Sequence, residues 1–223
     1  MNTEIIARIR NDYDGKFGVP RQSGLVPDVK SVIVFEPAYR AAEALRGIEE
    51  WSHLWLLWEF DRVNAAGWSP TVRPPRLGGN TRVGVFATRS PVRPNRIGLS
   101  CVRLEGMEQR PGLGTVLIVS GADLMNGTPI LDIKPYLPLS DCHPEATGGF
   151  TDTHAKRTCL VDCPAELLCR LPEESRSGLL GVLREDPRPA YQDDPDRVYG
   201  FPFAGHEIRF RVREGLLTVT DIL

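Results

Sequence analysis

Short runs rich in β-branched and aromatic residues, each cut off by glycine, proline or asparagine, pattern the first two thirds of this 223-residue chain. Glu4–Arg10 alternates around Ile5, Ala7 and Ile9, Lys30–Phe35 carries Val32-Ile33-Val34, and Trp51–Phe60 is a long aromatic and leucine run. Arg82–Ala87, Ile97–Leu104, Thr115–Ser120 and Pro129–Ile133 follow, each too short for a helix and bounded by turn residues. One helix is expected among them, over Ala38–Arg46, opened by Pro37 and stopped by Gly47. Many short strands with so little helix predict a mainly β domain, an antiparallel barrel or a strongly bent sheet. A doubly wound nucleotide fold is excluded, because the strand–helix alternation and the G-x-G-x-x-G turn are both missing.

Ser, Asp, Pro, Gly and Thr cluster over Leu139–Thr153, which places a boundary there. Beyond it, Ala155–Val161 reads as a strand and Pro164–Arg184 as helix interrupted at Pro172. Glu207–Val212 and Leu216–Ile222 read as a hairpin turning at Glu214-Gly215. The expected organisation is a β domain over 1–145 and a small α+β domain over 155–223. No apolar run reaches the roughly 18–20 residues that cross a bilayer. The first residues lack a signal-peptide pattern, so a cytoplasmic protein without membrane attachment is expected. The five cysteines are odd in number, form no C-x-x-C pair and lack a histidine pair at zinc spacing, so free thiols and no metal are expected.

Charge is distributed unevenly beneath a net value of −2. Ser69–Leu104 contains seven arginines (Arg73, Arg76, Arg82, Arg89, Arg93, Arg96, Arg103) and no acid. With 23 arginines against four lysines, arginine is this chain's general cation. That bias accounts for arginine over lysine, but not for the missing acids. A basic window in a near-neutral chain points to a local anion site rather than to non-specific coating of nucleic acid.

Four segments carry chemistry. Phe17–Leu25 is a Gly/Pro-fixed loop presenting Pro20, Arg21 and Gln22. Trp51–Trp55 encloses His53, which in an aromatic strand reads as a hydrogen-bonded core residue. Arg73–Ser100 combines prolines, glycines that let backbone approach a ligand, and guanidinium groups suited to carboxylate or phosphate. Gly121–Tyr136 holds an Asn126-Gly127 turn, then Asp132, Lys134 and Tyr136 alternating on one face. Such a face suits proton handling, and equally a solvated charged edge.

Together these segments resemble the TsaA-like family, which includes the TrmO tRNA methyltransferases. The likeness runs through Arg73–Asn80, Gly84–Ser90, Arg93-Pro94-Asn95, Ile97-Gly98, Asp132–Tyr136 and Asp186–Tyr191, nearly the whole chain. It implies a non-Rossmann β-barrel that uses S-adenosylmethionine and acts as a homodimer with its site near the subunit interface. The implied reaction methylates the exocyclic N6 of threonylcarbamoyl-adenosine beside the anticodon of threonine tRNA. The resemblance puts the cofactor against Pro20, Arg21, Gln22, Asp61, Arg62, Arg89, Leu99, Ala122, Asp123 and Leu124. Asp132, Lys134 and Tyr136, with Arg93, are the candidate catalytic groups; Arg73, Arg76, Asn80 and Asn95 are candidate tRNA contacts. Asn126 replaces an aspartate common in the family, and Asp61 stands where relatives carry histidine. Two alternatives stay open: a non-catalytic binder of nucleotides or acidic metabolites, and a small-molecule methyltransferase of the same fold.

Overall fold

The computed structural model describes residues 3–63, 67–153, 158–188, 192 and 194–223. The chain is mainly β. Six strands close into a ring: β1 (Ala7–Arg10), β2 (Lys30–Phe35), β3 (His53–Glu59), β6 (Ile97–Arg110), β7 (Gly114–Ser120) and β8 (Pro129–Pro135). Around the ring the order is β1, β2, β7, β6, β3, β8 and back to β1, every neighbour antiparallel. Between β3 and β6, β4 (Thr71–Val72) and β5 (Val83–Gly84) form a two-stranded ribbon. Alternation along each strand sends Ala7, Ile9, Ile33, Leu54, Leu56, Val102, Leu117 and Ile130 into one apolar core.

Short helices α1 (Pro138–Asp141) and α2 (Phe150–Thr153) follow β8. The C-terminal part holds β9 (Leu160–Asp162), α3 (Ala165–Leu168), α4 (Glu173–Arg184), β10 (Tyr199–Phe203), β11 (His206–Arg213) and β12 (Leu216–Ile222). Its sheet runs β10, β11, β12, β9, with α4 on the apolar face. Tyr13, Val26 and Val29, from the connection between β1 and β2, sit in this second core with Phe201, Phe203, Leu179 and Leu183. The packing therefore does not follow the chain order. Residues 11–29 leave the ring, insert into the C-terminal core and return. Gly178 and Gly181 admit them: a Cβ there would fall 2.7 Å from Val29 Cγ2 and 2.8 Å from Val26 Cγ1.

Three sequence expectations change. The helix over Ala38–Arg46 is instead a series of 3₁₀ turns, Pro37–Tyr39, Ala42–Leu45 and Ile48–Glu50. Ala41 and Arg46 are extended, and the Arg40 guanidinium holds the segment down by donating to the Phe35 (2.9 Å) and Gly112 (3.0 Å) carbonyls. Arg82–Ala87 is a strand only at Val83–Gly84, because Val85 turns inward to become 1% exposed and its amide bonds Pro70 O. The expected strand over Ala155–Val161 begins at Leu160, and residues 155–157 lie outside the described residues. The break expected at Pro172, by contrast, is present: α3 stops at Leu168 and Pro172 is the N-cap of α4.

Gly98 is a packing requirement. A Cβ at this position would lie 2.2–2.5 Å from the Trp58 indole, which crosses the inner face of β6. Gly98→Ala is expected to cost about 1–3 kcal/mol by overpacking, read from urea unfolding midpoints. A change below about 0.5 kcal/mol, the scale of a neutral surface substitution, would show that the indole moves freely.

Candidate active site

The inner face of β6 carries one polar side chain into the ring, Ser100, which is fully buried. Its hydroxyl accepts from Trp58 Nε1 at 2.9 Å and donates to Asp123 Oδ1 in a very short contact. Asp123 stands in the turn after β7, between Ala122 and Leu124, both 1% exposed in the ring core. Those two flanking side chains fix the turn and leave only their backbone available to a ligand. Burial pushes the Asp123 carboxyl above the usual carboxylate range; the Ser100 hydrogen bond, the backbone amides of Asp123 and Ser23, and the Arg89 guanidinium pull the other way.

The tip of the connection between β1 and β2 comes to the same place. Gly24 N donates to Gly121 O at 2.8 Å, which ties the loop to the Asp123 turn. Gln22 Oε1 accepts from Arg89 Nη1 at 2.5 Å. Gln22, Arg89 and Asp123 thus converge, with Trp58 and Phe60 (ring centroids 4.2 Å apart) beside Ser100. Beneath lies Tyr13, fully buried, its hydroxyl without a hydrogen-bond partner among the described residues. Burial raises the Tyr13 phenol far above its ordinary value, and the nearby Asp123 charge adds to the rise.

Arg21 points elsewhere. It donates to the backbone carbonyls of Asp186 (3.4 Å) and Arg188 (3.3 Å), whose side chains form a buried, two-pronged ion pair at 2.8 and 2.9 Å. Pro20 is buried at the base of the loop. Arg62 donates to Asn126 O at 2.7 Å, and Asp61 beside it is exposed. The arginine window divides by role. Arg93 Nη1 donates to Val85 O (3.2 Å) and Thr88 O (2.7 Å), Arg82 braces Thr71, and Arg96 donates to Val63 O. Arg73, Asn80 and Asn95 are exposed; the Arg76 side chain lies outside the described residues.

A second constellation occupies the opposite surface of the same wall. Cross-strand registry sets Asp132, Leu57 and Leu99 in one row, and Lys134, Trp55 and Cys101 in the next. Since Ser100 faces inward, Leu99 faces out and is 50% exposed. Lys134 Nζ lies 2.8 Å from Asp132 Oδ2, whose other oxygen accepts from Ile133 N. The Tyr136 ring meets His53 and Trp55 at centroid distances of 6.1 and 5.7 Å. His53, expected in the core, is therefore on the outer face. Desolvation and the Cys142 and Cys101 thiols raise the Tyr136 phenol, so it stays a neutral donor near pH 7. Leu99, Asp132, Lys134 and Tyr136 do not join Gln22, Arg89 and Asp123 within one copy of the chain. Ser100, Trp58 and Tyr13 were not singled out from sequence; the signal for Ser100 was a lone serine on the inward parity of an apolar strand.

A model of the tRNA-methyltransferase O N-terminal domain matches residues 8–142, and one of the TrmO C-terminal domain matches residues 166–223. The chain belongs to the TrmO family. The tRNA (adenine(37)-N6)-methyltransferase of Escherichia coli (strain K12) is 41% identical over 219 residues, covering 95% of this chain and 93% of that protein. A Pseudomonas aeruginosa relative described as an S-adenosylmethionine-dependent methyltransferase is 39% identical over 230 residues, covering 97% and 95%. The crystal structure of TrmO from Pseudomonas aeruginosa matches with a TM-score of 0.80 at 32% identity, over 100% of this chain and 98% of that one. The resemblance read from the motifs is thereby established. The C-terminal signature Asp186–Tyr191 acquires a position: its first three residues lie under Arg21, and residues 189–191 are outside the described residues.

The buried carboxylate gives a stability test. Because the folded pKa of Asp123 is raised, the native chain binds more protons than the unfolded one at pH values above the ordinary 3.8. Its contribution to stability therefore falls as pH rises through that window. Asp123→Asn should match or exceed the wild-type melting temperature at pH 7, and the gap should narrow toward pH 4. A variant several degrees less stable at pH 7 would show that the carboxylate is a net stabiliser.

Proposed function

We propose that this chain methylates the exocyclic N6 of adenosine 37 in tRNA, using S-adenosylmethionine, with threonylcarbamoyl-adenosine in threonine tRNA as the preferred form. The observation that carries this is the convergence of Gln22, Arg89 and Asp123 around a dry carboxylate in a chain matched by both family models. We place the enzyme in the cytoplasm with its tRNA; among the described residues no helix is long and apolar enough to cross a membrane. The ring is read as the six-stranded barrel of the methyltransferase domain, 1–145, with 155–223 as the smaller domain.

The donor set fits the cofactor. A desolvated carboxylate with one hydroxyl partner is suited to a cationic amine or a ribose diol, and the Arg89–Gln22 pair to a carboxylate. Tyr13 adds a buried donor without a partner. S-adenosylmethionine supplies a methyl group on a sulfonium centre. What the chain must do is align the adenosine nitrogen with it and receive the proton that N6 loses. Asp132 is the acceptor among the candidates. Tyr136, held neutral, can donate, and Lys134 competes for Asp132 Oδ2. Arg93, committed to two carbonyls, acts on turn geometry rather than on the reacting atoms. Arg73, Arg76, Asn80 and Asn95 fall to the RNA, with the carboxylate of the threonylcarbamoyl group a further anion for the window.

Asp132 and Asp123 occupy opposite surfaces of one wall, so a single copy cannot use both on one substrate. A homodimer resolves this by setting the outer wall of one copy over the Asp123 mouth of the other. The wall is suited to burial: Ile97 and Leu99 are 44% and 50% exposed on its outside, beside half-buried Leu57 and Trp55.

With labelled S-adenosylmethionine and threonylcarbamoylated tRNA, Arg89→Ala should lose roughly ten- to hundredfold in kcat/KM, the scale of one charged hydrogen bond, with an unchanged melting temperature. Asp123→Asn should weaken cofactor binding in the same assay. Absence of transfer by the wild-type protein, with cofactor binding intact, would favour a binding module instead. For the shared site, refolding the impaired Arg89→Ala and Asp132→Asn variants together should raise activity to about a quarter of wild type, because mixed dimers of two-fold symmetry carry one intact site. Independent sites within each copy would give no rise.

A further inference from the structure

On the outside of the ring, away from the arginine window, an open groove of about 390 Å³ runs between β1 and the segment after β2. Arg8, Arg10 and Arg40 line it, with Glu36 as the one carboxylate and the Asn126-Gly127 turn as its end wall. Arg8 spends Nε on Glu36 (3.2 Å) and Nη1 on Gly127 O (3.1 Å). Arg40 likewise spends Nε and Nη1 on the Phe35 and Gly112 carbonyls. Each keeps its Nη2 amine. Arg10, on the same face of β1, is exposed and makes no ion pair among the described residues. Two arginines are thus held rigid by backbone carbonyls, a third is free, and three guanidinium groups face one carboxylate already in use.

The groove ends on a turn that leads along the chain to the site. Its end wall, Asn126-Gly127, is the turn that Arg62 also holds from the other side, three residues beyond Asp123. The turn that closes the groove is thus joined to Asp123 by two intervening residues, Leu124 and Met125. Rigid, paired guanidinium groups with spare amines recognise phosphate oxygens by position rather than by sequence. We infer that this groove is a second phosphate-binding subsite, which holds the sugar-phosphate backbone of the tRNA strand flanking the methylated adenosine. The inference rests on the tRNA reading above and gives it a path: base at the Asp123 mouth, backbone across the Asn126-Gly127 turn, phosphates on Arg8, Arg10 and Arg40. Polyanionic RNA is the occupant that matches both the charge excess and the openness of the groove.

The test uses the full-length protein and measures tRNA Kd across salt concentrations, S-adenosylmethionine Kd and kcat at saturating tRNA. Arg10→Ala should weaken tRNA binding several-fold at about 0.1 M salt and reduce the slope of log Kd against log salt by roughly 0.9, the signature of one lost phosphate contact. Arg10→Glu should do more, and Arg10→Lys should retain most of the affinity. Cofactor affinity and kcat should be unchanged in all three. A wild-type slope and affinity in Arg10→Glu, with the wild-type enzyme active, overturn the groove alone. A wild-type protein that neither binds nor methylates tRNA overturns the reading on which the groove rests. Tight binding of a mononucleotide that tRNA does not displace would assign the groove to a small ligand instead.

Discussion

Closing a six-stranded ring requires its last strand to find its first, and here that seam is narrow. Registered pairing joins β1 to β8 only at Ala7↔Ile130 and Arg8↔Pro129. The seam is continued by single contacts: Ile9 N to Thr128 O, Gly127 N to Ile9 O and Asn126 N to Tyr13 O. Asn11 completes it: its Nδ2 donates to Leu124 O and Ser31 Oγ, and its backbone N–H donates to Asn126 Oδ1. Everything functional hangs on this seam. It fixes the Asp123 turn from one side and launches the 11–29 loop from the other, so that Gln22 returns opposite Asp123. Asn126 suits the place. It accepts from Asn11 N with Oδ1 and donates from Nδ2 to Asp14 Oδ1 at 3.2 Å, a donor role that an ionised aspartate lacks.

The wall between β3 and β6 does two jobs because strand alternation separates its surfaces. Inward, Gly98 leaves room for Trp58, which reaches Ser100 and through it Asp123. A buried carboxylate is a poor stabiliser, and the Ser100 hydroxyl and Arg89 guanidinium offset only part of the burial that raises its pKa. Outward, the same strands carry Leu99 and Leu57 toward Asp132. One apolar strand pair therefore backs the buried Ser100–Asp123 contact on one side and carries exposed Ile97 and Leu99 on the other.

The strands were legible because β-branched runs and their breakers are local properties. β2 matches its expected bounds, and β3 differs by two residues at its start and one at its end. The turns after β2 were misread since an alanine-rich stretch favours helix until Arg40 is seen to hold carbonyls on β2 and beyond Arg110, a contact separated by 72 residues. The arginine window was visible as charge, but charge does not say what a guanidinium reaches. Arg93 and Arg96 look like ligand groups in sequence and turn out to brace backbone, while Arg89 keeps a side-chain partner in the pocket. Tyr13 was invisible for a related reason. Nothing local marks a loop tyrosine that becomes part of a distant core.

Glu185–Asp196 is acidic where the Ser69–Leu104 window is basic, and several of its described acids are neutralised internally. Asp186 is buried, which by itself raises its pKa, but the Arg188 guanidinium and Arg21 hold it below the usual range, so it remains ionised and internally neutralised. Asp196 is bound by Arg213 at 2.6 Å, and Asp194 caps the backbone of its own loop. Among the described residues of this stretch, Asp186 and Arg188 each offer a backbone carbonyl to Arg21. Arg21 is then a strut. It fixes the loop whose next residue, Gln22, holds Arg89, and so couples the C-terminal core to the Gln22–Arg89 pair. Loosening the Asp186–Arg188 pair would reach the Gln22–Arg89 contact without touching it.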